Sequence, residues 1–282
     1  MSFPLATTSK NGPMRWGGRC SIIAINSASM KETMTEPDRM RLDQLLVERG
    51  IFPSRSRARD AILRRTVRLA GKVMGKPGEA VAVDAAIHVD DPASGYVSRA
   101  ALKILAGLDH FGFEAAGRTA LDIGSSTGGF TQVLLERGAS HVIAVDVGHR
   151  QMDERLSGDP RVSLLEGLNA RDLHARHCGE RRVNAVACDV SFISLKLALP
   201  PALALAEPGS WAVLLVKPQF EAGRERIGKG GILRDPADGP RIAEELHSWL
   251  GAQPGWRALG IAPSPIEGGD GNREFLLGGL KA

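Results

Sequence analysis

Four charged residues fall at the ends of predicted elements: Lys103 in "SRAALKI", Asp189 after "VNAVAC", Lys217 in "LLVKPQFE" and Glu274 in "GNREFLL". Three of them stand beside strongly apolar runs, where an unpaired charge is costly, so mutual neutralisation within one cleft is the economical reading. Taken singly, Lys217 or Glu274 reads equally well as half of a rim ion pair. A second group has the spacing of a small-molecule site. In "TALDIGSSTGGFTQVLLERGASHVIAVDVG" (Thr119–Gly148) an apolar run ends at Asp122. A loop of Gly124, Ser125, Ser126, Gly128 and Gly129 then leads into Phe130, and a second apolar run ends at Asp146, twenty-four residues after Asp122.

The loop is not a dinucleotide fingerprint. Counting from Gly124, the middle glycine that lets backbone approach a pyrophosphate is Ser126. No Gly-Lys-Ser/Thr follows either, which excludes a Walker A loop. A carboxylate at the second strand end can accept hydrogen bonds from both ribose hydroxyls, while Gly124 and Gly128 leave space for an amino-acid tail. That arrangement suits S-adenosylmethionine (SAM). In "LLEGLNARDL", Asn169 and Asp172 follow the third strand, where an adenine edge would lie. The cofactor candidates are Asp122, Gly124, Ser125, Ser126, Gly128, Gly129, Phe130, Asp146, Asn169 and Asp189. The competing reading is that the glycines only permit tight strand–helix packing.

The acceptor is narrowed by what is missing. Exocyclic-amine methylases carry Asn/Asp-Pro-Pro-aromatic after the fourth strand, whereas this chain has Asp189-Val190-Ser191-Phe192. Pyrimidine C5 methylases need a cysteine nucleophile. Cys188 lies inside an apolar strand and reads as a core thiol.

The elements that must position these residues alternate. Strands are expected at 119–123, 141–146, 161–166, 183–188, 210–216, 257–262 and 273–277, and helices at 97–110, 129–137, 194–206 and 237–250. Alternation of this kind predicts an α/β doubly wound, largely parallel sheet of seven strands. Upstream, "RLDQLLVERG" has helical spacing and ends at Gly50, and "FPSRSRARDAILRR" offers Ser54 as a cap and Ala58, Ala61 and Ile62 as an inner face. A short β segment follows, with turns at Ala70-Gly71 and Lys76-Pro77-Gly78. The expected organisation is a disordered leader over 1–38 (upstream of a start at Met34 or Met40), a small α+β domain over 39–91, a linker over 92–98 and a large domain over 99–282.

Charge separates the two domains. The net charge is +4, yet residues 39–76 hold eleven Lys/Arg against Asp43, Glu48 and Asp60. Like charge at this density is self-repelling unless a polyanion offsets it, so Arg41, Arg55, Arg57, Arg59, Arg64, Arg65 and Lys72 are candidate RNA contacts. The plainer alternative is a solvated arginine-rich face. Cys20, Cys178 and Cys188 are odd in number, far apart and without CxxC spacing, against a disulfide scaffold or a metal site and in keeping with a reducing cytoplasm. No run approaches the roughly 18 apolar residues that span a bilayer, so no membrane role is expected.

The small basic domain resembles the S-four RNA-binding domain over "RLDQLLVERGIFPSRSRARDAI", Gly71 and "KPGEAV", with Thr66 and Ala70 in place of that family's usual glycine and asparagine. From about Arg41 onward the chain resembles the TlyA-type (hemolysin A) ribosomal-RNA 2′-O-ribose methyltransferases, an S-four domain fused to an FtsJ-like methyltransferase domain. The residues that carry this are "VSRAALKI", "LDIGSSTGGFT", "VDVG", "CDVSFISL", "LVKPQFE" and "GNREF". The resemblance implies a SAM-binding Rossmann-like sheet with its last strand antiparallel. It also implies a catalytic tetrad at Lys103, Asp189, Lys217 and Glu274. The implied acceptor is the ribose of a cytidine in rRNA of the small or large ribosomal subunit. Lys217 would accept the hydroxyl proton or stabilise the developing alkoxide, with Asp189 and Glu274 holding the lysines. A non-catalytic RNA-binding assembly factor is the alternative, opposed by the complete tetrad; a membrane-damaging toxin lacks any supporting segment. The basic, glycine-rich "RERIGKGGILRDP" (Arg224–Pro236) reads either as an RNA-contacting loop or as a solvated one.

Overall fold

The computed structural model describes residues 38–269 and 271–282, so the leader expected over 1–38 lies, except for Asp38, outside the described residues. The chain divides between Val89 and Asp90 into two compact units.

In the first unit, β1 (Arg39–Arg41) runs straight into α1 (Leu42–Glu48), and α2 (Arg55–Leu63) follows. Leu42, Leu45 and Leu46 of α1 and Ala58, Ala61 and Ile62 of α2 are buried with Val67, Met74 and Val81, so the helical spacing marks the core face. The Ser54 hydroxyl accepts from the Arg57 amide and caps α2. The strands β2 (Val67–Leu69), β3 (Lys72–Val73), β4 (Ala80–Ala82) and β5 (Ile87–Val89) complete the unit. They form a three-stranded sheet in the order β3-β2-β5 and an antiparallel β1-β4 pair.

The second unit contains α3 (Ala101–Phe111), β6 (Thr119–Ile123), α4 (Gly129–Glu136), β7 (His141–Asp146), α5 (Glu154–Ser157) and β8 (Val162–Glu166). It continues through α6 (Ala175–Cys178), β9 (Val183–Cys188), α7 (Leu195–Ala198), α8 (Pro200–Leu205), β10 (Ala206–Val216) and α9 (Pro218–Glu221). It closes with α10 (Asp238–Gly251), β11 (Trp256–Pro263) and β12 (Phe275–Lys281). The strands make one seven-stranded sheet in the order β11-β12-β10-β9-β6-β7-β8. From β10 to β8 the pairs are parallel, and β12 runs antiparallel to β10 and β11.

The sheet is buried on both faces, which is why its strands read as near-continuous apolar runs. One core layer joins Ile104 and Leu108 of α3 and Phe130, Val133 and Leu134 of α4 to Ala120, Val142 and Val213. The other joins Leu195, Leu199, Leu203, Ala243, Leu246 and Leu250 to Leu121, Ile123, Ile143 and Val186. Several boundaries differ from expectation. The helix expected from 97 begins at Ala101. The helix expected over 194–206 is two, because Pro200 and Pro201 lack amide donors and open a new helix instead of continuing the old one. The last strand begins at Phe275, so Glu274 precedes it and does not open it.

Two left-handed residues other than glycine shape the first unit. After α2 the amide of Thr66 donates to Ala61 O and that of Arg65 to Ile62 O, with Arg65 at φ 63°, a helix-ending motif that usually recruits glycine. Leu69 pairs with Lys72 across a two-residue turn in which Ala70 lies at φ 44° and Gly71 at φ 82°. Such a turn needs positive φ at both central residues, and alanine bears a Cβ penalty there that asparagine largely avoids. Ala70→Asn should therefore stabilise the hairpin by about 0.5–1 kcal/mol, seen as slower backbone amide exchange at Met74, whose amide donates to Val67 O across it; faster exchange would mean that the turn does not hold this conformation.

Candidate active site

The tetrad residues meet at the C-terminal edge of the sheet as two ion pairs. Leu214 and Ile123 both pair with Cys188, and the Asp189 amide donates to Ile123 O at 2.9 Å, so Asp189 emerges between β6 and β10. Val216 pairs with Phe275, which makes Lys217 and Glu274 the next residues out on neighbouring strands. Lys217 Nζ lies 2.6 Å from Asp189 Oδ1, an ion pair without hydrogen-bond angles, and donates to Ser191 Oγ at 2.8 Å. Lys103, on the sheet-facing side of α3, donates to Glu274 Oε2 at 2.5 Å. Lys103 and Glu274 are 5% and 4% exposed, so each is tolerable only because the other is present.

The glycine loop leaves β6 beside this edge. Gly124 takes φ 84°, and a Cβ there would stand 2.7 Å from Asp189 O, so only glycine lets the loop pass the Asp189 backbone. The amides of Gly124 and Ser125 both donate to Val145 O. Asp146, the last residue of β7, accepts from the Ser126 amide at 2.8 Å on Oδ2 and from the Gly148 amide at 2.7 Å on Oδ1. Each oxygen keeps a second acceptor position. Asn169 Oδ1 accepts from the Arg171 amide at 3.1 Å.

A cavity of about 700 Å³ is lined by Gly124, Ser126, Asp146, Asn169, Asp189 and an apolar wall that includes Val147, Leu168, Phe192, Ile193 and Leu197. An adjoining space of about 160 Å³ is lined by Gly124, Ser125, Ser126, Gly129, Phe130, Asp189, Ser191 and Lys217. The pair suits a nucleoside carrying an amino-acid tail: a carboxylate stands at the rim for hydroxyls, apolar side chains wait for a base, and the buried Ser125 Oγ has no partner.

Two cofactor candidates sit differently from expectation. Gly128, at φ 95°, faces Leu156, whose Cδ1 would lie 2.4 Å from an added Cβ, so its missing side chain makes room for that leucine. Asp122 is the fourth residue of a five-residue strand, so its side chain turns under α4 and not toward the sheet edge. It is fully buried, with Oδ2 accepting from Thr131 Oγ1 at 2.6 Å and Oδ1 lacking a partner. Cys188 is fully buried, and burial pushes its thiol up to about 12, which leaves no thiolate for nucleophilic attack. Sequence reasoning missed Gln151, which accepts from Ser126 Oγ at 3.1 Å and lines the cavity, and the wall residues Leu168, Ile193 and Leu197. It also missed Phe192, 90% exposed at φ 64°. The run "DVSFIS" held the one available signal, an aromatic among polar residues just past a strand.

In the basic unit, the fully buried Asp43 gathers three of the candidate RNA contacts. Arg41 donates to both its oxygens at 3.0 and 3.1 Å, Arg55 donates to Oδ2 at 3.0 Å, and Arg59 stands 4.0 Å away. All three guanidinium groups remain about half exposed. Hydrogen bonds from Arg41 and Arg55 outweigh burial and hold the Asp43 carboxyl below its ordinary range. Arg64 is instead tied to Asp60 at 2.9 Å and mostly covered. Arg65 and Lys72 are exposed, and Arg57 is half-buried.

Burial, with Asp189 and Asp146 adding to it and the Thr131 hydrogen bond opposing it, raises the Asp122 carboxyl from 3.8 to about 7. Between these values the folded chain holds a proton that the unfolded chain has lost, so this contribution to stability is complete below about pH 4 and disappears as pH rises through 7. Relative to the parent chain, Asp122→Asn should therefore gain roughly 2–4 kcal/mol of stability from about pH 4 to pH 8. Urea unfolding of both chains at a series of pH values measures this, and a pH-independent difference would mean that Asp122 stays ionised throughout.

Residues 96–281 match the FtsJ-like methyltransferase family and residues 40–87 the S4 domain. The chain is 44% identical to the 16S/23S rRNA (cytidine-2′-O)-methyltransferase TlyA of Mycobacterium tuberculosis, over 85% of this chain and 89% of the relative. It is 37% identical to Hemolysin A of Brachyspira hyodysenteriae, over 84% of this chain and 98% of the relative. A solved candidate hemolysin from Streptococcus thermophilus aligns with a TM-score of 0.68 and 37% identity, covering 86% of this chain and 89% of that one. The chain belongs to the FtsJ-like methyltransferase family, carries an S4 domain ahead of that part, and groups with TlyA and Hemolysin A.

Proposed function

We propose that this chain methylates the ribose 2′-hydroxyl of a cytidine in ribosomal RNA with SAM as donor, working in the cytoplasm where ribosomal subunits are built. The observation that carries the reading is the Lys217–Asp189–Ser191 group at the rim shared by the two cavities. Gly124, Ser126, Asp146, Asn169 and the wall residues would hold the cofactor, whose chemical contribution is an electrophilic sulfonium methyl.

The chain's own residues then have three tasks. Asp189 pairs with the Lys217 ammonium and Ser191 accepts one of its hydrogens, leaving donor capacity for an acceptor hydroxyl. As the oxygen attacks, its O–H bond breaks, the proton passes to the Asp189 carboxylate, and the Lys217 ammonium stabilises the oxyanion character that develops. Lys103 and Glu274 form a second ion pair at the same sheet edge, which neutralises both charges. Since the methyl is already activated, positioning should supply most of the acceleration. Arg41, Arg55 and Arg59, aimed outward by Asp43, would track backbone phosphates of the RNA.

Incubating ribosomal subunits with methyl-labelled SAM tests this directly. Label is expected in one nucleoside whose 3′ linkage resists alkaline cleavage; label in an alkali-sensitive nucleotide would point to base methylation, and no label to an assembly factor. Lys217→Ala is expected to lower kcat by about a hundred- to a thousandfold while SAM affinity stays within about threefold. Near-normal transfer by that variant would remove Lys217 from the mechanism.

A further inference from the structure

One side of the large cavity is a segment with no helix or strand of its own. Asp189, Val190, Ser191, Phe192 and Ile193 all line the cavity, and α7 begins only at Leu195. Phe192 is held in the left-handed region at φ 64°, a conformation that a bulky residue keeps only when its surroundings impose it. The imposing contacts come from the turn after β10. Lys217 meets Asp189 and Ser191 at the entry of the segment, and the Phe220 ring lies 4.9 Å from that of Phe192. At the exit, Glu221 Oε2 accepts from the Ser194 hydroxyl at 2.5 Å and Oε1 from the Leu195 amide at 2.7 Å. That amide is the first of α7 and has no partner within the helix. Both oxygens of one carboxylate are thus committed to the junction between the span and α7.

Building on the SAM reading above, we propose that Glu221 is a positioning residue: it clamps the Ser194–Leu195 end of the cavity wall, fixing the cofactor pocket in its binding shape. The clamp and Lys217 belong to one short stretch, Lys217–Glu221. Burial raises the Glu221 carboxyl above its ordinary value, and the bonds from Ser194 and Leu195 offset that only in part. Without the clamp, the span is free to leave the strained Phe192 conformation, and SAM must restore the shape on binding, which weakens affinity by the population lost.

Calorimetric titration of the full chain with SAM, with no RNA present, separates this from the transfer reaction. Glu221→Ala should weaken SAM binding by roughly tenfold and Ser194→Ala by roughly threefold. Glu221→Gln, which can accept from the Leu195 amide and donate to Ser194, should recover most of the loss. At saturating SAM, kcat for transfer should change by less than about twofold in all three, the reverse of the split expected for Lys217→Ala. Unchanged SAM affinity in a folded Glu221→Ala chain, or kcat and KM changing together with lost stability, would overturn the positioning role. Should Glu221→Ala fail to fold, Ser194→Ala decides on the same criterion. If the unaltered chain bound no SAM, the cofactor reading itself would fall, an outcome distinct from equal binding by parent and variant.

Discussion

Burying a charge in protein costs several kcal/mol unless an opposite charge and hydrogen bonds meet it. This chain puts four charged residues at one sheet edge, and the arrangement of its C-terminal half follows from having to pair them. Lys103 and Glu274 are separated by 171 residues and lie 2.5 Å apart. Their meeting requires β12 to run antiparallel between β10 and β11, so that the residue just before it faces α3 at the same edge from which Lys217 emerges. Such pairs are poor sources of stability, because hydrocarbon of the same shape serves as well or better.

The parallel strands supply the second constraint. β6 and β9 are neighbours, but the chain leaves β6 toward β7 and β9 toward β10, so their exit loops diverge and open a crevice. Strain collects there. Gly124, Ser126 and Phe192 all have positive φ, and two of the three are not glycine. Ser126 is held by its amide bond to Asp146, and Phe192 by the turn from Lys217 to Glu221. The stable sheet beneath over-determines both loops, so the crevice keeps its form although neither loop has regular structure of its own.

The basic unit solves the opposite electrostatic problem. Eleven cationic residues within 39–76 repel one another, and a single buried carboxylate relieves that strain where it is worst. Asp43 binds Arg41 through both oxygens and Arg55 through one, which spends part of their hydrogen-bonding capacity and leaves a fixed positive face outward. Fixed guanidinium groups lose little rotamer freedom on meeting a phosphate. The relation between Asp43 and its arginines is partly visible in the chain, since Arg41 is two residues away and Arg55 and Arg59 share a helix face.

The sequence by itself determined the alternation of elements and the identity of the charged residues at their ends, because apolar runs and their punctuation are local properties. The strands at 119–123, 141–146 and 183–188 have the limits their apolar residues imply, and Asp146 sits at the rim because it is the last residue of such a run. Pairing was decided only in three dimensions. That Lys103 takes Glu274 and Lys217 takes Asp189 depends on strand order, which no local pattern records. The same holds for Asp122 and Gly128: a strand residue's face and a glycine's neighbour are known only once a helix lies over them, and α4 and Leu156 turned both toward packing. The clamp of Glu221 on Ser194 and Leu195 spans two loops brought side by side by β9 and β10, so it exists only in the folded chain.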